Sequence, residues 1–386
     1  MKNCNLCDKN SLEIIYTPSN SEIDLQIGVC KFCGLVQGVY DSETYERIND
    51  AVHDPASKVT RLNCDAAYSD IRVGKQQMLS NAIKLISENN ITDNIDRVLD
   101  IRAARGDFVN YFHSLMPGVK IDAIETDQYM ADQIHKVSNI NVISSKYKDW
   151  SPTYNYNLIY SCHTLEHYRD PKANLKYIRH HLDDDGYLIL DVPNIDIISK
   201  TSNFDEYFYD KHLSYFSKAT LEKMMMLVGF ETIVINDDGP CLYGLFKKTD
   251  VMRELEVDHD APQYGIKLMK SYEKEINLNR VSVNRICNNI NKFVGNNGEG
   301  LCFWGIGRLY DVFKTYGHLN TPEETLLVDN YLSKATSELY GRPIHDQRAI
   351  TDGVQKVILF TRTSRLKEEL SKDYRSLDIY HWSDFQ

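Results

Sequence analysis

Four cysteines near the start of the chain form two pairs, Cys4 with Cys7 and Cys30 with Cys33. Each pair encloses two residues, and 22 residues separate the pairs. This spacing is typical of a tetrahedral zinc site, in which each pair supplies two thiolates at about 2.3 Å from the ion. Four sulfur ligands leave no position for water or substrate, so the spacing predicts a structural zinc ion. A redox-active dithiol is the alternative.

A second group of polar residues follows the ends of predicted buried strands. The apolar run 97–101 contains Asp100 and leads into the turn 102–106, and the next run, 119–125, ends in Glu125. The carboxyl ends of parallel strands form the crevice in which open α/β sheets bind ligands, so these residues predict a phosphate- or nucleoside-binding site. An acid at the position of Glu125 can accept both hydroxyls of a ribose, and a solvated loop carboxylate is the alternative.

Two histidines follow a further predicted strand. The apolar run 156–160 is followed by Cys162, His163 and His167, which lie at the same predicted edge of the sheet. An imidazole can act as a general base near neutral pH, although a single histidine is more often a capped or surface residue. The position at a strand end therefore makes His163 and His167 candidates for a ligand-binding or catalytic site.

The elements around these residues alternate between helical and strand patterns. Helical periodicity covers 72–92 and 171–182, and a turn at 183–186 precedes a strand over 187–192. This order predicts an α/β domain built on a doubly wound, mainly parallel sheet with a late hairpin.

The last third of the chain predicts a second, smaller domain of the same class. Residues 251–297 have a polar helical pattern, and three apolar runs follow at 301–304, 325–330 and 354–360. Three strands joined by crossover helices form a small Rossmann-like unit. The glycine turn 305–307 is either a tight strand-to-helix connection or a ligand-binding loop.

Bulk composition excludes several classes of protein. The 386 residues suggest two or three domains, and a net charge of −11 argues against nucleic-acid binding, which needs a concentrated basic surface. The sequence has no run of 18 apolar residues, and its N-terminus lacks a secretory signal, so we expect a cytoplasmic protein without a membrane partner. The remaining cysteines are expected to be buried hydrophobic side chains: Cys64, Cys162, Cys241, Cys287 and Cys302.

The motifs of the central domain resemble those of class I S-adenosylmethionine-dependent methyltransferases. The resemblance rests on VLDI at 98–101, Glu125, HTLEH at 163–167 and LDDDGYLILDVPN at 182–194. The whole chain further resembles the nucleotide-sugar C-methyltransferases of deoxysugar biosynthesis, through the four cysteines ending in CGLVQ and through YDKHLSYFS at 209–217. The resemblance implies a zinc module, a methyltransferase domain that binds S-adenosylmethionine, and a Rossmann-like C-terminal domain. The expected ranges are 1–50, 51–250 and 251–386.

The resemblance also implies roles for individual residues. The residues expected to bind the cofactor are Asp100, Arg102, Gly106, Glu125, Cys162 and His163. The residues expected to be catalytic are His212, His167, Tyr209 and Lys211, with Tyr215 a weaker candidate than Tyr209. Contacts with the nucleotide-linked sugar are expected from Arg308, Asp329 and the loop 341–344.

The chain departs from the family pattern at two places. Arg102 and Ala104 occupy two glycine positions of the first turn, where glycine lets the backbone approach the cofactor closely. Arg102 either obstructs the cofactor or contacts its carboxylate. Lys211-His212 stands where the family has a Glu-His pair, so Lys211 can instead stabilise an enolate or hold a phosphate.

The leading prediction is methyl transfer from S-adenosylmethionine to a nucleotide-linked deoxysugar, in surface polysaccharide or secondary-metabolite biosynthesis, with C-methylation favoured. O-methylation of a sugar hydroxyl, with His167 or His212 as the base, is one alternative. A catalytically degenerate protein that binds a nucleotide-sugar or a partner enzyme is another. An oxidoreductase that uses the glycine turn 305–307 is a third, and the cysteine module and the HTLEH motif argue against it.

Overall fold

A computed structural model describes most of the chain. The described residues are 3–18, 21, 23–53, 73–91, 95–126, 128–134, 140–143, 150–198, 204, 206–256, 258 and 260–386. Cys64, which the sequence predicts to be a buried hydrophobic residue, lies outside them.

The N-terminal segment forms a small antiparallel sheet that carries the cysteines. Strand β1 (Leu12–Tyr16) pairs with β2 (Gln26–Cys30), which pairs with β3 (Val36–Val39), and helix α1 (Ser42–His53) follows. Cys30 is the last residue of β2, so the turn between β2 and β3 contains Cys33.

The central domain alternates helices and strands as the sequence predicts. Its elements in chain order are α2 (Val73–Glu88), β4 (Arg97–Ile101), α3 (Asp107–Leu115), β5 (Lys120–Ile124), α4 (Gln128–Ile134), β6 (Asn141–Ile143), β7 (Tyr156–Cys162), α5 (Pro171–His180), β8 (Leu182–Pro193), β9 (Ser214–Tyr215), α6 (Lys218–Leu227), β10 (Phe230–Asn236) and β11 (Cys241–Lys248).

The central sheet has seven strands in the order β6-β5-β4-β7-β8-β11-β10. The first five strands are parallel, and β11 and β10 add an antiparallel edge that corresponds to the expected late hairpin. Alternate residues of the inner strands enter different core clusters: Val98 packs on one face and Leu99 on the other. Helices cover both faces of such a sheet, so the predicted doubly wound α/β class is confirmed.

One predicted turn is incorporated into a strand. Residues 183–186 were expected to precede a strand, but β8 already begins at Leu182. The pairing of β7 with β8 jumps from Tyr156–Leu182 to Leu158–Tyr187, so the residues between Leu182 and Tyr187 bulge out of the ladder. The Asp-rich sequence forms a bulge here because strand pairing holds it on both sides.

Strand β9 joins the central domain to the cysteine module. Val36 and Gln37 of β3 pair with Tyr215 and Ser214, respectively. One continuous core cluster also contains Cys4 and Leu6 of the module together with the residues of β4, β7 and β8. The small sheet therefore combines the three strands β1, β2 and β3 of the cysteine module with β9, which lies far along the chain.

The C-terminal part begins with a long helix and ends in a second parallel sheet. Its elements are α7 (Asp260–Val294), β12 (Leu301–Trp304), α8 (Arg308–Tyr316), β13 (Leu326–Val328), α9 (Leu332–Ala335), β14 (Glu338–Leu339), β15 (Arg342–Pro343), β16 (Lys356–Leu359), α10 (Arg365–Asp373) and β17 (Asp378–His381). The sheet order is β13-β12-β16-β17.

This sheet has four strands, whereas the sequence predicts three. Strand β17 has the sequence DIYH, which is short and half polar and therefore gives little hydrophobic signal. It is an edge strand, and parallel pairing with β16 is what defines it. Among the described residues, no helix is long and apolar enough to span a membrane.

Candidate active site

The carboxyl edge of the central sheet collects the residues that follow β4, β5 and β7. Ile101 of β4 lies beside Ile124 of β5 on one side and Ser161 of β7 on the other. The turn after β4, Glu125 and the segment 162–167 therefore start side by side. This is the crevice in which parallel α/β sheets bind ligands.

The turn after β4 keeps the backbone of a glycine turn although two of its residues carry side chains. The φ angles are 62° at Arg102, 50° at Ala104 and 77° at Gly106. A left-handed conformation costs a non-glycine residue about 1 kcal/mol or more. At Gly106 a Cβ would lie 3.0 Å from Ile134, so glycine is needed there for packing as well. The turn thus has a left-handed backbone at two positions occupied by residues other than glycine.

Glu125 fixes this turn from the neighbouring strand. Its Oε2 accepts a hydrogen bond from the backbone N–H of Ala104 at 2.8 Å, and the side chain is buried. Asp100, one strand away, is also buried. Burial, with added repulsion from Glu125 and Asp107, raises the pKa of Asp100 well above its ordinary value. Two carboxyl groups thus line the crevice at the ends of β4 and β5.

His163 lies on the opposite side of the crevice in a network of buried groups. Its Nδ1 is 3.2 Å from Oε1 of Glu166, and its Nε2 is 3.5 Å from Sγ of Cys241 and 3.6 Å from Oδ1 of Asp191. Burial opposes protonation of the ring, but the contacts with Cys241 and Glu166 outweigh it and raise the pKa of His163. Glu166 and Asp191 thus both favour the protonated form of this ring. Cys162 approaches the same group, with Sγ 3.6 Å from Oδ2 of Asp191.

His167 and His212 form a pair of side chains whose pKa values are shifted in the opposite direction to that of His163. Their ring centroids are 4.9 Å apart with an edge-on arrangement, and Nδ1 of His167 lies 3.0 Å from the carbonyl oxygen of Lys211. Burial lowers the pKa of His167 well below its ordinary value, and the repulsion that would arise if both rings were protonated lowers it further. Burial and the charge of Lys211 do the same for His212. Both imidazoles are therefore neutral near pH 7 and able to accept a proton.

Tyr209 links this pair to the C-terminal domain. Its ring lies 5.4 Å from the His212 ring, and its hydroxyl accepts a hydrogen bond from Nη1 of Arg308 at 3.0 Å. Arg308 also lies over the Tyr209 ring at 4.6 Å. Arg308 is the first residue of α8, directly after the turn 305–307 in which Gly305 has a φ of 83°. The second domain thus contributes a cation to the same site.

Tyr215, the weaker catalytic candidate, lies where it can support the fold rather than contact a substrate. Its side chain is buried, and its hydroxyl lies 3.3 Å from both the backbone nitrogen and the carbonyl oxygen of Tyr209. It belongs to β9 and packs against Phe208. Tyr215 therefore supports the loop that carries Tyr209 and His212.

A buried carboxylate outside the crevice anchors the same loop. Glu206 accepts hydrogen bonds from the hydroxyls of Tyr16, at 2.9 Å, and Tyr272, and it forms an ion pair with Arg280 at 3.2 Å. The Tyr272 hydroxyl also accepts the backbone N–H of Tyr207 at 3.0 Å. The cysteine module, the long helix α7 and the segment 206–212 therefore meet at one residue.

The sequence did not identify Glu166, Asp191, Cys241 or Glu206 as residues of the site. Glu166 lies inside the HTLEH motif, and its carbonyl oxygen accepts the backbone N–H of Leu213 at 2.7 Å. Its position between two candidate histidines is the signal that could have identified it. Asp191 lies near the end of the predicted strand 187–192, so its position at a strand end could also have identified it. Cys241 and Glu206 carry no such signal.

Two expected sugar contacts in the C-terminal domain have structural partners. Oδ1 of Asp329 accepts the backbone N–H groups of Tyr331 and Leu332, at 2.9 and 2.8 Å. Arg342, in the loop 341–344, donates to backbone carbonyl oxygens, including that of Pro322 at 3.0 Å. Both residues shape the end of the second sheet, and none of these contacts involves Tyr209.

The four N-terminal cysteines converge as their spacing predicts. Sγ of Cys4 is 3.5 Å from Sγ of Cys33, and Sγ of Cys7 is 3.5 Å from Sγ of Cys30. All four sulfur atoms lie within 4.8 Å of one another, which fits the roughly 3.8 Å edge of a tetrahedron with zinc–sulfur bonds of about 2.3 Å. The backbone N–H of Leu6 points at Sγ of Cys4, at 3.4 Å. The donor set therefore suits a closed, structural zinc site.

Residues 72–234 match the family model described as a methyltransferase domain. No curated protein matches the chain. Among solved structures, the chain is similar to a plantazolicin methyltransferase in complex with SAH, at 13% identity and a TM-score of 0.40, over 53% of this chain and 99% of that chain. It is also similar to an S-adenosylmethionine-dependent methyltransferase from Clostridium acetobutylicum, at 13% identity and a TM-score of 0.39, over 50% and 98%.

A third similar structure is the magnesium protoporphyrin IX methyltransferase from Synechocystis with bound SAM, at 13% identity and a TM-score of 0.39, over 55% of this chain and 99% of that chain. Likenesses at these TM-scores are too distant to assign a substrate. The range 72–234 of the family match contains the turn after β4, Glu125 and the segment 162–167. The chain therefore carries a methyltransferase domain, as the sequence predicts.

Proposed function

We propose that this protein transfers a methyl group from S-adenosylmethionine to a nucleotide-linked sugar. The crevice of its methyltransferase domain faces a pair of neutral histidines. C-methylation of a carbon next to a carbonyl group is the favoured reaction. The observation that carries the proposal is the position of His167 and His212. His167 follows β7 at the carboxyl edge of the sheet, His212 packs against it, and burial keeps both rings uncharged.

The residues of the crevice fit S-adenosylmethionine. The left-handed backbone at Arg102 and Ala104 gives the turn the conformation that glycine residues adopt most easily. Glu125 lies at the position where such sheets bind a ribose. His163, Cys162 and Asp100 line the edge between these points. When bound, the cofactor supplies an electrophilic methyl group on a sulfonium ion. The chain's task is to orient the acceptor and remove its proton.

His212 is the stronger candidate for the base. The carbonyl oxygen of Lys211 can only accept, so Nδ1 of His167 carries its proton and donates to it. In the described part of the chain, no hydrogen bond reaches a ring nitrogen of His212. With the cofactor bound, His212 can therefore take the proton from the acceptor carbon, whose electron pair would form the new bond to the methyl group as the methyl–sulfur bond of the sulfonium breaks and SAH leaves. His167 packs against it and holds its orientation.

The C-terminal domain supplies the second half of the site. Arg308 reaches Tyr209 from the glycine turn of a Rossmann-like unit. Such a turn at the end of a parallel strand is a suitable place for the nucleotide of the acceptor. We propose that the nucleotide binds near the turn 305–307 and that the sugar extends past Tyr209 to His212. The four-cysteine site holds a structural zinc ion, and the cytoplasm remains the expected location.

A deuterium-exchange assay tests the reaction. The protein is incubated in D₂O with S-adenosylmethionine carrying a labelled methyl group and with a nucleotide-linked 4-keto-6-deoxysugar, and the product is examined by mass spectrometry and NMR. C-methylation predicts solvent deuterium next to the ketone in unreacted acceptor and a new carbon–carbon bond in the product. A label on oxygen without exchange identifies an O-methyltransferase. Binding of the nucleotide-sugar without any methyl transfer supports a degenerate binding protein.

His212→Asn separates the base from a structural role. The variant should retain S-adenosylmethionine binding and lose deuterium exchange by about a hundredfold or more, as expected when a general base is removed. His180→Asn is a matched control, because His180 lies on the exposed side of α5. Full exchange in His212→Asn would assign the base to another residue.

A further inference from the structure

We propose that the carboxyl edge of the central sheet binds a second transition-metal ion, of the zinc class, through Cys162, His163 and Asp191. This group of donors is separate from the four-cysteine cluster. The site goes beyond the proposed methyl transfer, which does not require a metal. A thiolate, an imidazole and a carboxylate are together the donor types that zinc and cobalt(II) accept, whereas magnesium and calcium prefer oxygen ligands alone.

Two neighbouring strands bring the three residues together. Cys162 is the last residue of β7, and it pairs with Asp191 of β8. His163 follows Cys162 directly, and its backbone N–H donates to the carbonyl oxygen of Asp191 at 2.8 Å. The backbone of the sheet therefore fixes the positions from which all three side chains begin, and the site is built on rigid elements.

The donor atoms have separations close to those of ligands around one ion. Sγ of Cys162 lies 3.6 Å from Oδ2 of Asp191, and Nε2 of His163 lies 3.6 Å from Oδ1 of the same carboxylate. The three residues each offer one donor atom within 4.8 Å of the other two. Metal bonds of about 2.0–2.3 Å at tetrahedral angles separate such ligands by roughly 3.3–3.6 Å. Only small shifts are needed for the three donors to bind one ion.

The carboxylate of Asp191 has an oxygen atom whose hydrogen-bonding capacity is unused. The residue is 1% exposed, and within the described ranges no group forms a hydrogen bond with its Oδ1. This oxygen faces Nε2 of His163 at 3.6 Å, which is too long for a hydrogen bond. A buried carboxylate oxygen without a partner is costly, and coordination to a cation between Asp191 and His163 would remove that cost.

Glu166 orients the imidazole for such an ion. Its side chain is buried, and its Oε1 lies 3.2 Å from Nδ1 of His163. When Nδ1 donates its proton to this carboxylate, the lone pair of the ring is on Nε2, which faces Asp191. A carboxylate that accepts the second ring N–H is the usual support of a metal-bound histidine. The site therefore has both its ligands and the group that would hold one of them in place.

Three protein ligands leave a fourth coordination position for water or for an oxygen atom of a ligand. Cys241 is close, with Sγ 3.5 Å from Nε2 of His163, but its sulfur is not among the donor atoms that all lie within 4.8 Å of one another. The side chain of His163 is 35% exposed, so an ion can enter the site. There it can polarise a carbonyl oxygen of the acceptor, and this use alone rests on the proposed function.

Titration of the full-length protein with Co²⁺, followed by absorption spectroscopy, tests the site. Dialysis against a weak chelator should leave one zinc ion, because a closed site of four thiolates holds it more tightly than three mixed ligands do. Co²⁺ should then add one further equivalent with the charge-transfer absorption of a single thiolate, and excess Mg²⁺ should not displace it. Absence of uptake would overturn the proposal. So would uptake without thiolate absorption, which would assign the ion to Glu166, His167 and His212.

Variants identify the ligands. Cys162→Ser should lose the thiolate absorption, and Glu166→Gln should weaken Co²⁺ binding by about tenfold or more, as expected for the support of a metal-bound histidine. Cys302→Ser is the matched control, because it changes a buried cysteine of the C-terminal sheet and should keep both signals. Retention of the structural zinc ion shows that each variant is folded.

Unchanged absorption in Cys162→Ser would overturn the assignment of this ligand and with it the proposed site. The titration uses neither S-adenosylmethionine nor an acceptor, so its failure would not affect the proposed methyl transfer. Turnover of the labelled methyl group, measured separately, reports on that reaction.

Discussion

The carbonyl oxygen of Lys211 lies 3.0 Å from Nδ1 of His167, so the residue that carries the expected catalytic cation also fixes the tautomer of the neighbouring histidine. Nδ1 must donate to the carbonyl, which leaves Nε2 as an acceptor. His212 follows Lys211 and packs edge-on against the same ring at 4.9 Å. The loop 209–212 and the HTLEH motif are therefore held together as one structural unit.

The pH dependence of methyl transfer should reflect the two histidines. Burial and nearby cations lower the pKa of His167 and of His212, so the neutral, active form persists to more acidic pH than for an ordinary histidine. Activity should be constant through pH 6.5, the ordinary histidine pKa, and fall only at lower pH. A kcat/KM profile measures this. In Lys211→Gln the acidic limb should move to higher pH, because one repelling charge is removed. An unchanged limb would contradict the electrostatic role of Lys211.

The same shift predicts a loss of stability in acid. The folded pKa of both histidines lies below the unfolded value, so the unfolded chain binds protons first as the pH falls. The contribution of these rings to stability is fully present above about pH 6.5 and is lost as the pH falls towards the folded pKa. Urea unfolding of the wild type and of His212→Asn, compared between pH 7.5 and 5.5, checks this. The difference between the two proteins should change with pH; a constant difference would argue against a buried neutral His212.

Replacing the strained residue of the first turn should stabilise the protein. Arg102 has a φ of 62° and no bonded partner in the described ranges, so Arg102→Gly relieves the left-handed strain and should raise the free energy of unfolding by about 1 kcal/mol. Denaturant titration measures the gain. Arg365→Gly, at the first position of α10, is the control and should lower stability, because glycine is unfavourable in a helix. A destabilised Arg102→Gly would show that the side chain contributes packing or an ion pair.

Loss of the buried carboxylate at Glu206 should be costly. Glu206→Ala removes the partner of Arg280 and of the hydroxyls of Tyr16 and Tyr272, and leaving such groups unpaired costs about 3 kcal/mol or more. Thermal and denaturant unfolding measure this effect. Tyr272→Phe removes two hydrogen bonds, one donated to Glu206 and one accepted from the backbone N–H of Tyr207, and should cost about 2 kcal/mol, whereas Tyr111→Phe, at an exposed ring, should be neutral. A neutral Glu206→Ala would exclude an anchoring role for this network.

Zinc should be stoichiometric and structural. One ion per chain is expected by atomic emission, and Cys4→Ser or Cys33→Ser should lose the metal and lower the unfolding temperature, because both side chains are buried in the core shared with the central sheet. Cys302→Ala, in the C-terminal sheet, should keep the metal. Full stability after removal of the ion would contradict the structural role.

Much of the candidate site was predicted from one rule: polar residues at the carboxyl ends of parallel strands line the ligand-binding crevice. Asp100, Glu125, His163 and His167 were placed by their positions after apolar runs, and the structure brings them to one edge because parallel strands all point the same way. The cysteine cluster followed from spacing alone, since a short turn holds each pair together. In both cases the spacing along the sequence already determines which residues come close together.

Long-range pairs could not be predicted in this way. Glu206 meets Tyr16 across 190 residues, and His163 meets Cys241 across 78. Neither pairing follows from periodicity, because it depends on how whole elements pack. The left-handed backbone at Arg102 was also unforeseen, since arginine does not favour it and the contact between Ala104 and Glu125 helps to impose it.

Titration calorimetry with S-adenosylmethionine tests the central claim most directly, because every catalytic proposal requires the cofactor to enter the crevice between the turn after β4 and Glu125. Wild-type protein should bind it with a micromolar dissociation constant, and Glu125→Ala should weaken binding by at least about tenfold through loss of the ribose contacts and of the support for Ala104. No heat and no thermal shift at millimolar cofactor would contradict the assignment of this crevice as the site of methyl transfer.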